Sequence, residues 1–519
     1  MLLKRLMTLA TISVCLSCAT GDQGGGTGGD NGSGGSTSTG GTTGTGGSAT
    51  GGTTGTGGIV GTGGIVGTGG SKTGGTTGTG GTVGTGGIVG AGGIVGAGGA
   101  AGAKSTGGTT GTVGIVGTGG AAGHGTGGAS TGGTTGTGGT GGAASATAEN
   151  SGASCASTAG ALLSADNKKL PNPFAMHDGT IISTKAQWEC RRNEVKADLE
   201  KYEIGPKQDP GTVAATLSGK TLTVKITTSS GTMSLTSAIS GSGSCILITM
   251  DTAPSLVTGC TTIPFTSNQV VQNMQNSNQY QSDPFYKVYP SLWQKIGNYS
   301  AWSWGISRLI DGIEQVKSQL NVDTTKIALH GCSYAGKMAL FGGALDERVA
   351  LTVVEESGGG GIDSWRMSQE YTDRTSVQVE KIDNTNYAWF MTSMKSLKPY
   401  RLPHDHHELI GMIAPRAVII LGNPGYDWLG DESGYKSTMA AVEIFKAMGV
   451  ADHIGYDFTG GHSHCGPPAG QTASVKTFVD RFLKGTSTTS NVAIKPDSTG
   501  KSFVLDLTTA IDWTTPTLN

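Results

Sequence analysis

The sequence is poor in charge, and the charge it has nearly cancels. Lys and Arg number 35 against 37 Asp and Glu, charged residues make up 14% of the 519, and the formal net charge is −2. Nucleic-acid partners leave a basic footprint, and none is present. No nucleic acid is expected, and a small-molecule or polysaccharide substrate fits better. Aromatic residues amount to 6% and Pro to only 16 residues. Scarce Pro and the lack of strict Gly-X-Y spacing exclude collagen, although Gly is abundant. The apolar run from Leu6 to Val14 is too short to span a bilayer as a mature helix.

What is present is glycine, unevenly spread. Residues 21–150 hold 58 of the 92 Gly, and the part that follows is close to ordinary in Gly content. The tract repeats Gly-Gly-Thr-Thr-Gly-Thr-Gly-Gly from positions 40, 51, 74 and 132, and Gly-Gly-Ile-Val-Gly from 57, 63, 86 and 92. Each unit offers at most one Ile-Val pair to bury, so ordering its glycines costs more than it returns. Residues 20–150 are therefore expected to be a flexible tether, with a coil end-to-end distance of roughly 60 Å. Before it, the basic Met1–Arg5 and the apolar run read as a secretory signal over 1–19. Its end, Cys15-Leu16-Ser17-Cys18-Ala19, allows either lipidation at Cys18, which would anchor the chain to a membrane, or cleavage and release. A secreted or cell-surface location follows, at the outer membrane if Cys18 is lipidated, with a monomer as the expected state.

Six cysteines remain beyond the signal: Cys155, Cys190, Cys245, Cys260, Cys332 and Cys465. An even count behind a signal suggests disulfides, but spacing alone cannot choose their pairing. No spacing resembles a Cys-x-x-Cys zinc knuckle.

Residues 151–519 are expected to form the folded domain. Helix candidates lie at 300–320 and 437–448; strand candidates lie at 246–250, 327–330, 350–354, 417–421 and 453–458. This alternation predicts an α/β fold, with helices on both faces of a mostly parallel sheet. The strand Lys326–His330 runs into Gly331-Cys332-Ser333-Tyr334-Ala335-Gly336-Lys337 and then a helical pattern, the order of a nucleophile elbow. Its spacing is Gly-x-Ser-x-x-Gly, and Gly331 and Gly336 suit the crowded turn. The next strand ends in Glu355-Glu356-Ser357 and four glycines, and a late strand ends in Gly460-Gly461-His462-Ser463-His464-Cys465. A serine nucleophile needs a base and an acid that orients it, and the order Ser, acid, His is that of α/β-hydrolases.

The segment 331–337 resembles the Gly-Cys-Ser-Arg-x-Gly-Lys motif of glucuronoyl esterases, carbohydrate esterase family 15. Further matches, in order, are Glu356-Ser357-Gly358, Ser364-Trp365-Arg366, Leu402-Pro403-His404-Asp405-His406-His407, Ile413-Ala414-Pro415-Arg416, Asp427-Trp428-Leu429-Gly430 and Gly461-His462-Ser463-His464-Cys465. The resemblance covers about 155–519, and Asp512-Trp513-Thr514-Thr515-Pro516 is similar to the ends of some bacterial members.

The resemblance implies an α/β-hydrolase, a three-layer sandwich, with Ser333 as nucleophile, His464 as general base and Glu356 as orienting acid. Asp427 is a possible alternative acid. It implies Cys332–Cys465 and Cys155–Cys190 bridges, which leaves Cys245 and Cys260 to each other; Ser364 and Ser437 stand where another family bridge lies. Lys337, Gln378 and Trp428 match sugar-contacting positions. Two positions depart from the family. Tyr334 stands where an Arg is thought to help the oxyanion, and losing such a donor costs about 2.7–4 kcal/mol of barrier. The Tyr334 N–H remains a donor, and its hydroxyl is a partial substitute if it reaches the site. Asn386 stands where a Glu usually contacts a sugar hydroxyl.

The implied substrate is an ester between (4-O-methyl-)glucuronic acid of glucuronoxylan and a lignin alcohol, cleaved by two-step acyl transfer without a cofactor. The His404–Glu408 cluster lacks His-Glu-x-x-His spacing, so no metal is expected there, and His462 is expected to shape its loop. Two alternatives stay open: a carbohydrate esterase acting on acetyl or feruloyl groups, or a tethered carbohydrate-binding protein with weak activity.

Overall fold

Long apolar runs with no polar alternation need cover on both faces, and this requirement builds the centre of the molecule. In a computed structural model the described residues are 148–150, 155, 157–251 and 256–519. The signal 1–19, Cys18 and the Gly/Thr-rich tract up to 147 lie outside the described residues.

Helix α1 (Lys185–Tyr202) opens on a Thr184 capping box completed by Gln187. Three antiparallel strands follow, β1 (Thr212–Ser218), β2 (Thr221–Thr227) and β3 (Thr232–Ala238). Then come β4 (Ile246–Thr249), β5 (Thr261–Thr262), α2 (Pro284–Val288) and α3 (Asn298–Leu320). The catalytic-type alternation is β6 (Ile327–Cys332), α4 (Tyr334–Leu345), β7 (Val349–Glu355), α5 (Trp365–Thr375), α6 (His406–Gly411), β8 (Ala417–Leu421), α7 (Asp431–Ala447), β9 (Ile454–Asp457), α8 (Ala469–Phe482) and β10 (Ala493–Ile494).

The larger sheet has the order β10-β9-β8-β7-β6-β4-β5, and every pairing in it is parallel. Every residue of β6, β7 and β8 is buried. Each buried Val, Leu or Ile contributes roughly 1.5–3 kcal/mol, which explains why the centre of this sheet is apolar throughout. Helix α4 is buried along almost its whole length and packs against β6, β7 and α3, as a helix apolar on all sides must. The architecture is that of an α/β-hydrolase, as the sequence leads one to expect.

The expected elements did not include β1–β3, although their period-two pattern is plain: β3 reads exposed-buried throughout, with Met233 and Leu235 inward. Helix α7 starts at Asp431, six residues before the expected 437, because Asp431 and Glu432 suit the positive end of a helix. Glu149, expected at the end of the tether, is held on the fold. Its carboxylate pairs with Lys207 at 2.7 Å and with Arg308, and its carbonyl accepts from the Glu347 N–H at 3.0 Å.

Candidate active site

The turn after β6 is too tight for side chains on its flanks. A Cβ on Gly331 would fall 2.0 Å from the Ala335 carbonyl oxygen, and one on Gly336 2.5 Å from that of Glu355. Ser333 sits at the tip with φ 60° and ψ −126°, the strained conformation expected at the tip of a strand-to-helix elbow. Its N–H donates to Glu355 O at 3.0 Å, which fastens the turn to β7. Below it, His330 Nε2 and Glu355 Oε2 lie 3.0 Å apart, fully buried.

Glu356, just past β7, is buried with φ 42°. Its Oε2 is 2.8 Å from His464 Nδ1 and accepts from Asn423 Nδ2 at 3.2 Å, while Oε1 accepts from the Cys465 N–H at 3.1 Å. Cys465 also has a positive φ, 59°. Three positive-φ residues on three loops thus converge, the pattern of strain held at a functional site. Cys332 and Cys465 are joined, with Cα atoms 5.7 Å apart, so the residue after one cysteine and the residue before the other are Ser333 and His464. A ligand nitrogen of the His464 ring lies within 4.8 Å of Cys332 Sγ. The other bridges are Cys155–Cys190 and Cys245–Cys260.

The arrangement suits acyl transfer. A carboxylate on Nδ1 fixes the tautomer that leaves Nε2 basic, and the first N–H groups of α4, unpaired within the helix, offer an electropositive cradle beside Ser333. The His464 ring is framed by aromatics: Trp428 meets it edge to face at 4.9 Å between centroids, and the Tyr426 hydroxyl accepts from the His464 N–H at 3.2 Å.

The other candidates separate. Asp427 is 58% exposed in its side chain and pairs with Lys501 at 2.5 Å, whereas Glu356 is the carboxylate on His464. Tyr334 lies in the wall, but its hydroxyl donates to Asp251 Oδ2 at 2.8 Å and its ring stacks on Trp389. Burial and the Asp251 charge push its phenol pKa up. The hydroxyl is thus spent, and only the Tyr334 N–H remains for an oxyanion. Lys337 is buried and pairs with Glu380 at 2.5 Å. Gln378 is exposed, with a single 3.4 Å contact to Ser376 O. Asn386 donates to Met274 O at 2.8 Å and accepts from the Ala388 N–H at 2.9 Å, which uses its amide within the chain.

His404 and His406 place their Nε2 atoms 2.7 and 2.9 Å from the two oxygens of Glu203, and His407 Nε2 lies 2.9 Å from Pro171 O. Burial works against both the Glu203 anion and the two imidazoliums. The paired charges override it, holding the carboxyl low and raising His404 and His406. This cluster ties helix α6 to the end of α1. His462 Nε2 lies 2.8 Å from Thr459 O in its own loop. Among the described residues, the groups of His, Cys and carboxylates that converge like metal ligands all include Cys332, whose sulfur is in a disulfide and offers no thiolate.

Motif reading missed Asp251, Glu380, Trp389, Asn423 and Tyr426. Asp251 directly follows the strand-end residue Met250, and the rule that ligands gather at strand carboxyl ends could have found it. The others reach the site from loops with no local signature.

Comparison with known proteins gives the same picture. The family model described as glucuronyl esterase, fungi, matches residues 212–449. A 4-O-methyl-glucuronoyl methylesterase of Hypocrea jecorina is 35% identical over 379 residues, 71% of this chain and 80% of the relative. One from Cerrena unicolor is 34% identical over 382 residues, 70% and 80%. Among solved structures, the glucuronoyl esterase catalytic domain of Hypocrea jecorina has a TM-score of 0.63 at 33% identity, covering 69% of this chain and 99% of that one. A mutant glucuronoyl esterase from Sporotrichum thermophile, in complex with methyl 4-O-methyl-beta-D-glucopyranuronate, has a TM-score of 0.64 at 31% identity, covering 70% and 100%. The C-terminal motif suggested a bacterial form, whereas the matching family model is the fungal one. The chain belongs to the glucuronoyl esterases, carbohydrate esterase family 15.

Proposed function

We propose that this chain hydrolyses esters of (4-O-methyl-)glucuronic acid by a Ser-His-Glu mechanism, with esters between glucuronoxylan and lignin alcohols as the natural substrate. The observation that carries this reading is the Glu356–His464 hydrogen bond, set beside Ser333 by the Cys332–Cys465 bridge. Ser333 attacks the ester carbonyl as His464 takes its proton; the oxyanion is held by backbone N–H groups, that of Tyr334 among them. His464 then protonates the departing alcohol, and water, activated by the same histidine, releases the glucuronate. Trp428, Lys337 and Gln378 form the sugar side of the site. The substrate-analogue complex of the Sporotrichum relative supports this choice of acyl group.

The test is release of acid from benzyl and lignin-like glucuronate esters by the folded parent and by Ser333→Ala. No turnover by a folded parent defeats the reading. A second reading, an esterase for acetyl or feruloyl groups, is favoured by the occupied Tyr334 hydroxyl and the inward Asn386 amide. Faster turnover of those esters than of glucuronates supports it. Xylan binding that survives Ser333→Ala, with no turnover in the parent, supports a tethered binding protein instead. In the glucuronate-ester reading residues 151–519 are the esterase domain of a secreted or cell-surface plant-biomass enzyme, and the tract before Glu149 is its leash.

A further inference from the structure

The glycines after Ser357 let Glu380 pack closely against their backbone. A Cβ on Gly359 would fall 2.4 Å from the Glu380 carbonyl oxygen and 2.5 Å from its Cβ, so only glycine admits this segment. From there Glu380 Oε2 accepts from Lys337 Nζ at 2.5 Å and Oε1 accepts from Thr385 Oγ1 at 2.6 Å. Lys337 is 4% exposed, and its Nζ sits 4.9 Å from the centroid of Trp389. Trp389 in turn stacks on Tyr334, the neighbour of Ser333. The Glu380 side chain keeps 23% exposure.

A carboxylate oxygen accepts more than one hydrogen bond. The Glu380 carboxylate is therefore fixed at both oxygens and still has acceptor capacity toward solvent, beside the Lys337–Trp389–Tyr334 row that leads to Ser333. Position 386 carries no charge, and its amide is already engaged with Met274 O and the Ala388 N–H. We propose that Glu380 is a specificity-determining residue: its carboxylate accepts a hydrogen bond from one hydroxyl of the uronosyl ring, while holding the Lys337 ammonium in place beside that hydroxyl. The assignment rests on the glucuronate-ester reading above.

The test is a coupling measurement on the full chain. Steady-state kinetics of the parent, Glu380→Gln and Glu380→Ala are compared on a methyl glucuronate ester and on analogues each lacking one ring hydroxyl. Charge-assisted hydrogen bonds to a substrate are strong, so both variants are expected to raise KM for the complete ester on the order of tenfold or more, with a smaller change in kcat. For one deoxy analogue the parent loses a similar factor and the variants lose little more, because the partners of a broken bond do not add. The same parent-to-variant ratio on every analogue means that Glu380 only supports the fold and overturns the assignment; so does an unchanged KM. If the Ala variant fails to fold, the isosteric Gln variant decides. A parent that turns over none of these uronate esters defeats the functional reading and the Glu380 assignment with it; an active parent with no hydroxyl-selective loss defeats the Glu380 assignment alone.

Discussion

Glu356 Oε2 lies 2.8 Å from His464 Nδ1, although 108 residues separate them in the chain. The carboxylate is held by that ring, the Cys465 N–H and the Asn423 amide, so its orientation toward His464 is fixed. Glu356→Gln keeps the shape but invites the wrong histidine tautomer. A kcat loss on the order of 10³ to 10⁴ is expected, with a lowered Tm as well, because the Gln amide nitrogen must face a buried donor, the Cys465 N–H or the Asn423 amide. Asp427→Asn, at the exposed partner of Lys501, is expected to leave kcat within about threefold, inside the range of ordinary surface changes.

Tyr334 is fixed by its hydroxyl on Asp251 and its ring on Trp389. Removing the hydroxyl leaves Asp251 short of a donor in a half-buried wall, at a cost of about 1–3 kcal/mol. Tyr334→Phe is therefore expected to lower Tm while changing kcat far less than loss of an oxyanion donor would. A kcat drop of 10² or more on glucuronate esters, on the scale of oxyanion-hole mutants, would instead place the hydroxyl on the oxyanion.

The Cys332–Cys465 bridge closes a separation of 133 residues, against 35 for Cys155–Cys190. In the chain-entropy account the longer loop stabilises more, about 4–5 kcal/mol. Its loss also frees the His464 loop from the nucleophile turn. The double Cys332→Ala, Cys465→Ala variant is expected to lose both Tm and kcat, whereas Cys155→Ala, Cys190→Ala loses Tm with kcat largely kept at a temperature where it is folded. Paired melting curves and kinetics check this.

Asp431 is buried at the start of α7, where its Oδ1 accepts from the Asn423 N–H at 3.2 Å. Burial, with a smaller push from Glu356, raises its carboxyl from 3.8 to about 8. The native state thus keeps a proton that the unfolded chain releases near pH 4. The stabilisation this brings is full below that pH and is lost as pH rises toward 8. Asp431→Asn removes the dependence. Its Tm relative to the parent is expected to climb between pH 4 and pH 8, and a constant difference would contradict the assignment.

The sequence by itself determined the class of fold, because strands buried on both faces must be apolar and helices between them must follow a 3.6 period. It also determined the strained turn that carries Ser333: Gly331 and Gly336 admit it, and their placement around Ser333 is a local matter. The residues that close the site were legible only as strand-end loops. That Glu356 and not Asp427 meets His464, that Tyr334 spends its hydroxyl on Asp251, 83 residues away, and that Glu380 meets Lys337 from 43 residues away were decided by the tertiary structure. Their side chains meet because loops from different strands are brought to one edge of the sheet. Hydrogen-bond direction depends on that meeting, and no spacing along the chain encodes it.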